Sequence, residues 1–118
     1  MSNGTERQAP FAPVPGSTQT IAAVTGSGTA TTAALVIPGA PFMLIDGYVQ
    51  IEIVTLANPA FIGFGANGAA AAAAATVANG YPVPANSRRV ISIPAGQFVA
   101  AINTGGASSV YVTPGVGV

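Results

Sequence analysis

The sequence predicts an all-β domain, an antiparallel β-sandwich or jelly roll of about seven to eight short strands. Short apolar runs follow one another from Ile21 onward, separated by Gly, Pro, Ser, Thr and Asn residues. The runs recur roughly every 8 to 14 residues and are rich in β-branched side chains, as in sandwiches and barrels. The clearest run, residues 48–55, alternates apolar and polar positions with the period of a half-buried strand. Spacing and alternation together indicate two packed sheets.

One face of the strand predicted over residues 48–55 should be buried, and the other should face solvent or a partner. The outward face carries Gln50, Glu52 and Val54. Asp46-Gly47 comes just before the strand and is a turn signal. The face predicted to be buried comprises Val49, Ile51, Ile53 and Thr55.

Three more strands are predicted near the C-terminus, over the runs 90–93, 98–102 and 110–112. The connections contain Pro94-Ala95-Gly96 and the stretch 103–106, which are rich in turn-forming residues. Because the connections are short, we expect consecutive hairpins, which is a β-meander.

Seven consecutive alanines, residues 69–75, interrupt the β pattern. Alanine is the best helix former, Asn67 could cap a helix start, and Asn79-Gly80 could end it. However, a helix this short is marginal without packing, and an all-methyl segment has no amphipathic stripe to direct packing. The pattern favours an extended or irregular segment, with a short helix as the alternative.

The charge content is the most informative feature of the composition. Only 5% of the 118 residues are charged, with three arginines, no lysine and a formal net charge of zero, against roughly a quarter in an average soluble domain. A nearly uncharged surface indicates that protein partners cover much of it. Nucleic-acid binding is not expected, because phosphate contacts need clustered Lys and Arg. No run approaches the roughly 18 apolar residues of a membrane span, and the N-terminus lacks a signal-peptide layout.

The side chains needed for catalysis are scarce. Histidine and cysteine are absent, which excludes Ser-His-Asp and Cys-His arrangements and any disulfide. The carboxylates are Glu6, Asp46 and Glu52. We interpret Asp46 as a turn residue and Glu52 as a marker of the outward face of its strand. We therefore expect no catalytic residues, no metal site and no cofactor, and we expect that the protein is not an enzyme.

Gly63, Gly65 and Gly68 spell G-x-G-x-x-G between a predicted strand and the alanine run, the formal setting of a dinucleotide fingerprint. That fingerprint needs an acidic residue about 20 positions further on, yet no Asp or Glu follows Glu52. The rest of the chain also cannot supply repeated βαβ units. We interpret these glycines as serving a bend or turn.

Residues 1–18 are predicted to form an extended N-terminal arm, and residues 19–118 a single β-sandwich domain. Three prolines stiffen the arm, so Phe11 would be an apolar anchor with little entropy to lose on docking. We expect the arm from Ser2 to about Ser17 to be dispensable for folding and needed for attachment. Arg88-Arg89 would be either a solvated pair at the start of a strand or a salt bridge to a neighbouring subunit. The candidate partner interface is therefore Pro10, Phe11, Pro13, Arg88 and Arg89.

The C-terminal half carries a resemblance. From about residue 61 the chain reads GFG, GYPVPANS, RVISIPAG, FVAAIN and finally SSVYVTPGVGV. This order resembles a family of short proteins encoded among the head genes of tailed bacteriophages. In those relatives a Thr- and Val-rich strand usually follows the glycine-ending strand, where this chain has alanines.

The resemblance implies a non-enzymatic virion structural protein with a sandwich or jelly-roll fold, a capsid decoration or cement protein. It would be made in the host cytoplasm, reside on the capsid surface and bind the major capsid protein and copies of itself. We expect a symmetric homo-oligomer, a trimer, because capsids offer three-fold positions. The alternatives are a head-fibre base or a head-to-tail or tail component. Outside the virion, the alternative is an adhesin or carbohydrate-binding sandwich, although tryptophan is absent.

Overall fold

The computed structural model describes residues 12–13, 16–31 and 48–116, and within these ranges it contains nine strands and one helix. The strands are β1 (Ala12–Pro13), β2 (Gln19–Ala23), β3 (Thr29–Ala30), β4 (Tyr48–Thr55), β5 (Ala60–Gly65), β6 (Tyr81–Val83), β7 (Arg88–Pro94), β8 (Phe98–Asn103) and β9 (Ser108–Val116). The helix, α1, comprises Gly68–Ala74. Strands β3 and β6 are short and were not predicted.

The strands form two antiparallel sheets. In the first sheet the order is β2-β9-β4-β7, and β1 also pairs with β9 beside β2. In the second sheet the order is β3-β8-β5-β6. Strands β2 to β9 therefore have the order of a jelly roll, in which β9 lies between β2 and β4 while β8 lies between β3 and β5. The predicted all-β sandwich is confirmed.

The predicted C-terminal meander is wrong, although its three strands are present. Strand β7 pairs with β4, β8 pairs with β3 and β5, and β9 pairs with β1, β2 and β4. Each connection from β7 onward crosses to the other sheet. Local alternation shows which face of a strand is apolar, but it does not show which strand lies beside it.

The core lies between the two sheets. The face of β4 that was predicted to be buried contributes to this core. Each side chain of that face is at most 2% exposed: Val49, Ile51, Ile53 and Thr55. Neighbouring strands supply further buried side chains, among them Ile21, Ile62, Val83, Val99, Val110 and Val112. Because β-branched residues predominate, the packed faces combine high β propensity with burial.

The alanine run forms a helix, so the favoured extended segment is wrong. Asn67 caps α1 as predicted, since its Oδ1 accepts a 2.8 Å hydrogen bond from the Ala70 backbone N–H. The helix ends at Ala75, whose N–H bonds to the carbonyls of Ala71 and Ala72. It therefore stops before Asn79-Gly80, the predicted terminator.

Packing on the outer face of the second sheet explains why α1 is helical. A Cβ at Gly63 would lie 2.4 Å from the backbone N of Ala75, and one at Gly65 would lie 2.6 Å from that of Ala71. A Cβ at Gly28 would meet the Ala72 carbonyl oxygen at 2.4 Å. Only glycines let helix and sheet backbones approach this closely. The methyl groups of Ala71 and Ala75 are consequently buried, which provides the packing that a short helix needs.

Two glycines of the motif have a role beyond the bend or turn expected from the sequence. Gly63 and Gly65 lie in β5 and pair there with β8, and a bend follows at residues 66–67. Gly68 is the first residue of α1, where a Cβ would meet only the Ala30 Cβ, at 3.7 Å. Gly63 and Gly65 therefore serve close approach between helix and sheet, and Gly68 does not.

The end of the predicted arm lies on the first sheet. Strand β1 pairs with β9, with Pro13 opposite Gly115. The hydroxyl groups of Thr18 and Thr113 are hydrogen-bonded at 2.6 Å. Pro10, Phe11 and Asp46 lie outside the described residues, as does the apolar run over residues 32–37.

Candidate interaction surface

The outer face of the first sheet brings two sequence-predicted residues together, Glu52 and Arg88. It consists of the side chains that alternate away from the core on β4, β7 and β9. In register, Glu52 lies opposite Val90 and Thr113, while Val54 lies opposite Arg88 and Tyr111. The outer face comprises Gln50, Glu52, Val54, Arg88, Val90, Ser92, Tyr111 and Thr113.

An ion pair joins two strands on this face. Arg88 Nε donates to Glu52 Oε2. The two residues are diagonal neighbours, because Glu52 lies directly opposite Val90, two positions along β7. The Arg88 side chain is 60% exposed and that of Glu52 is 18% exposed. Arg88 is thus neutralised within its own chain, where the sequence left open a salt bridge to a neighbouring subunit.

Arg89 points to the opposite side of the sheet. It lies opposite the core residue Ile53, but it is at the end of the strand and remains exposed. Its Nη1 lies 3.4 Å from the Arg88 carbonyl oxygen, to which it donates. Because successive side chains in a strand alternate, the two adjacent arginines do not form a single basic patch.

The candidate partner residues within the described part of the chain do not form one site. Pro13 lies in β1, at the β9 side of the first sheet, whereas Arg88 and Arg89 lie in β7 at the opposite edge. Any partner that touches both Pro13 and the two arginines must span the width of the first sheet.

A second surface lies beside α1 on the other sheet and was not predicted. It is an open groove with a volume of about 470 Å³. Its lining has two polar side chains, Asn79 and Tyr81, and no carboxylate, arginine, lysine or histidine. The Asn79 amide and the Tyr81 hydroxyl can form hydrogen bonds with a bound group. The lining residues are Ile62, Gly63, Phe64, Ala74, Asn79, Gly80, Tyr81 and Pro82.

Replacing Arg88 with alanine should lower the free energy of unfolding by less than about 1 kcal/mol, because the ion pair is solvated and surface pairs contribute little. Urea denaturation provides the measurement. Arg89→Ala is the matched control and should change stability by a few tenths of a kcal/mol or so. A loss above about 2 kcal/mol for Arg88→Ala alone would show that the pair is structural.

Charged groups are rare throughout the described part of the chain. They are Glu52, Arg88 and Arg89, and no cluster of three potential metal ligands is present among the described residues. The described residues also include no helix of the length and apolarity needed to cross a membrane. Comparisons of the chain with family models, curated proteins and solved structures give no match.

Proposed function

We propose that this chain is a non-enzymatic structural protein of a tailed-bacteriophage virion, a decoration or cement protein on the capsid surface. It stabilises the shell through contacts with the major capsid protein. The observation that carries the proposal is a jelly-roll sandwich with three charged side chains among its described residues, two of which neutralise each other. Such a surface is better suited to packing against protein than to a free monomer.

The fold and the sequence support the proposal independently of charge. Jelly rolls recur in viral capsid proteins, which is support by analogy of fold. The turn-and-strand order from about residue 61 to the C-terminus resembles the phage head-gene family. In a homotrimer the three copies would be linked, so three modest contacts with the shell would combine through avidity.

The attachment element is the segment that precedes β1. Strand β1 pairs with β9 at the side of the first sheet away from β7, and Phe11 immediately precedes it in the chain. Phe11 stands between Pro10 and Pro13, which restrict the backbone and reduce the entropy lost on docking. In this arrangement Phe11 anchors the domain to the shell, and copies occupy three-fold positions as a homotrimer.

Deletion of residues 2–11 should weaken binding to shells that lack the protein by at least about tenfold, or roughly 1.4 kcal/mol. The deletion spares β1, so the melting midpoint should stay within about 3 °C of wild type. Binding is measured by co-sedimentation of the purified chain with shells.

The substitution Phe11→Ala should reproduce most of the loss, because it removes the anchor and leaves the prolines in place. Val77→Ala is the matched control, since Val77 is 58% exposed and lies after α1, beside the other sheet. It should bind like the wild type. Undiminished binding by the truncated chain would overturn the role of the segment, and failure of the full chain to bind any phage shell would overturn the proposed function.

A further inference from the structure

Strand β7 is an edge of the first sheet among the described strands. Within the described part of the chain it has a neighbour on one side only, β4. At seven residues β7 is longer than the other edge strands, which have two to five residues. Natural edges are usually protected by prolines, charges or bulges. Here the arginines stand at one end and Pro94 at the other, and the stretch from Val90 to Ile93 has neither charge nor proline.

The hydrogen-bonding direction along β7 follows from its pairing with β4. The Thr55 backbone N–H donates to the Ser87 carbonyl at 2.9 Å, just beyond the last register pair, Val54 and Arg88. Because bonded and non-bonded pairs alternate in an antiparallel ladder, the backbone groups of Arg89, Ile91 and Ile93 turn toward β4. Those of Arg88, Val90 and Ser92 turn outward, toward the free edge.

We propose that β7 pairs with β7 of a second copy of this chain, antiparallel about a two-fold axis at Val90. In this register Val90 lies opposite the partner's Val90, and Arg88 lies opposite the partner's Ser92. Every outward N–H of the three residues Arg88, Val90 and Ser92 then meets a carbonyl of the partner. Pro94, which lacks an N–H, lies beyond the paired stretch and blocks nothing.

The side chains are compatible with the same register. Val90 is 37% exposed on the outer face, and its copy covers it as a cross-strand pair. On the other face the half-buried Ile91 meets the partner's Arg89, whose methylene stem can cover an apolar neighbour. The arginines of the two copies fall at opposite ends of the shared ladder. The register thus brings no like charges face to face.

This contact is distinct from attachment to the shell and does not depend on it. It uses the β7 edge, whereas the attachment segment leads from β1 at the other side of the first sheet. On a shell with copies at three-fold positions, the contact would join copies from neighbouring positions. It is isologous, so it closes after two copies.

A charge-swap experiment at Val90 tests the contact. Val90→Lys and Val90→Glu should each raise the dissociation constant of the two-fold contact by at least about tenfold, because like charges lie directly opposite each other. An equimolar mixture of the two variants should restore association, since lysine then faces glutamate. Sedimentation equilibrium of the full chain up to about 0.5 mM gives the constants. The same substitutions at the exposed Val77 are matched controls and should leave association unchanged.

Substitutions at Ser92 provide a second test of the two-fold contact if a Val90 variant does not fold. Ser92→Glu should tighten association because it faces the partner's Arg88, and Ser92→Lys should weaken it. The proposal is overturned if the wild type shows no association that these variants alter, or if the mixture of Val90 variants remains dissociated. Failure to bind shells would count against the proposed function but would leave the two-fold association in solution intact.

Discussion

Replacing Gly63 with alanine should lower the free energy of unfolding by about 2–3 kcal/mol. The added Cβ would lie 2.4 Å from the backbone N of Ala75 and 2.5 Å from the carbonyl oxygen of Ala71. These are backbone atoms, so no side-chain rotation relieves the overlap, and α1 must move away from the sheet. Urea denaturation measures the loss, and far-ultraviolet circular dichroism reports the helix.

The matched control is Gly68→Ala, at the other end of the same motif. Its Cβ would meet only the Ala30 Cβ, at 3.7 Å, and alanine is favoured over glycine in a helix by up to about 1 kcal/mol. Gly68→Ala should therefore leave stability unchanged or raise it. Equal stability of the two variants would show that α1 does not pack on β5.

Replacing Asn103 with leucine should lower the free energy of unfolding by about 1–3 kcal/mol. Asn103 is 1% exposed. Its Nδ2 donates to the Pro59 carbonyl oxygen at 3.2 Å, and its Oδ1 accepts from the Ser108 N–H at 2.8 Å. Leucine fills a similar volume but leaves the Ser108 N–H without this acceptor, whereas the Pro59 carbonyl oxygen keeps its 3.2 Å bond from the Thr104 N–H. An unsatisfied buried group costs roughly 1–3 kcal/mol. Thermal and urea unfolding provide the measurement.

Asn58→Leu serves as the control for Asn103. The Asn58 Nδ2 donates to the Ala107 carbonyl oxygen at 3.3 Å in an exposed bond, where water can replace the lost partner. This variant should lose less than about 1 kcal/mol. If both asparagines give the same small effect, Asn103 does not hold the turn before β5 to the loop after β8.

The candidate surfaces show where local patterns stop being informative. The sequence located Arg88 and Arg89 at the start of a strand, and both are there. It left open a salt bridge to a neighbouring subunit, because the partner of Arg88 is distant in sequence. Glu52 becomes that partner through the pairing of β4 with β7. The sequence did not indicate Val90 as an interface residue. Its place in the proposed contact depends on β7 being an edge strand, and strand order is not visible in the sequence.

Local sequence was also insufficient to predict the conformation of the alanine run. Intrinsic propensity favoured a helix and the missing amphipathic stripe opposed it, so the local terms nearly cancelled. The deciding contribution comes from Gly63 and Gly65, which let the helix backbone lie directly on β5. The alanines of α1 and the glycines of β5 are both small, so the two backbones can pack closely. That contact exists only after the second sheet has formed.

The sequence by itself determined the all-β class, the buried face of β4 and the scarcity of charge and catalytic groups. These properties depend on composition and on the period-two alternation of neighbouring residues, which any strand of this sequence must express. The tertiary structure alone decided the jelly-roll strand order, the helix over the alanines and the position of β7 at an edge of the described sheet. Each of these depends on which distant segments lie side by side, and a hydrophobic pattern specifies a face to bury without specifying the neighbour that buries it.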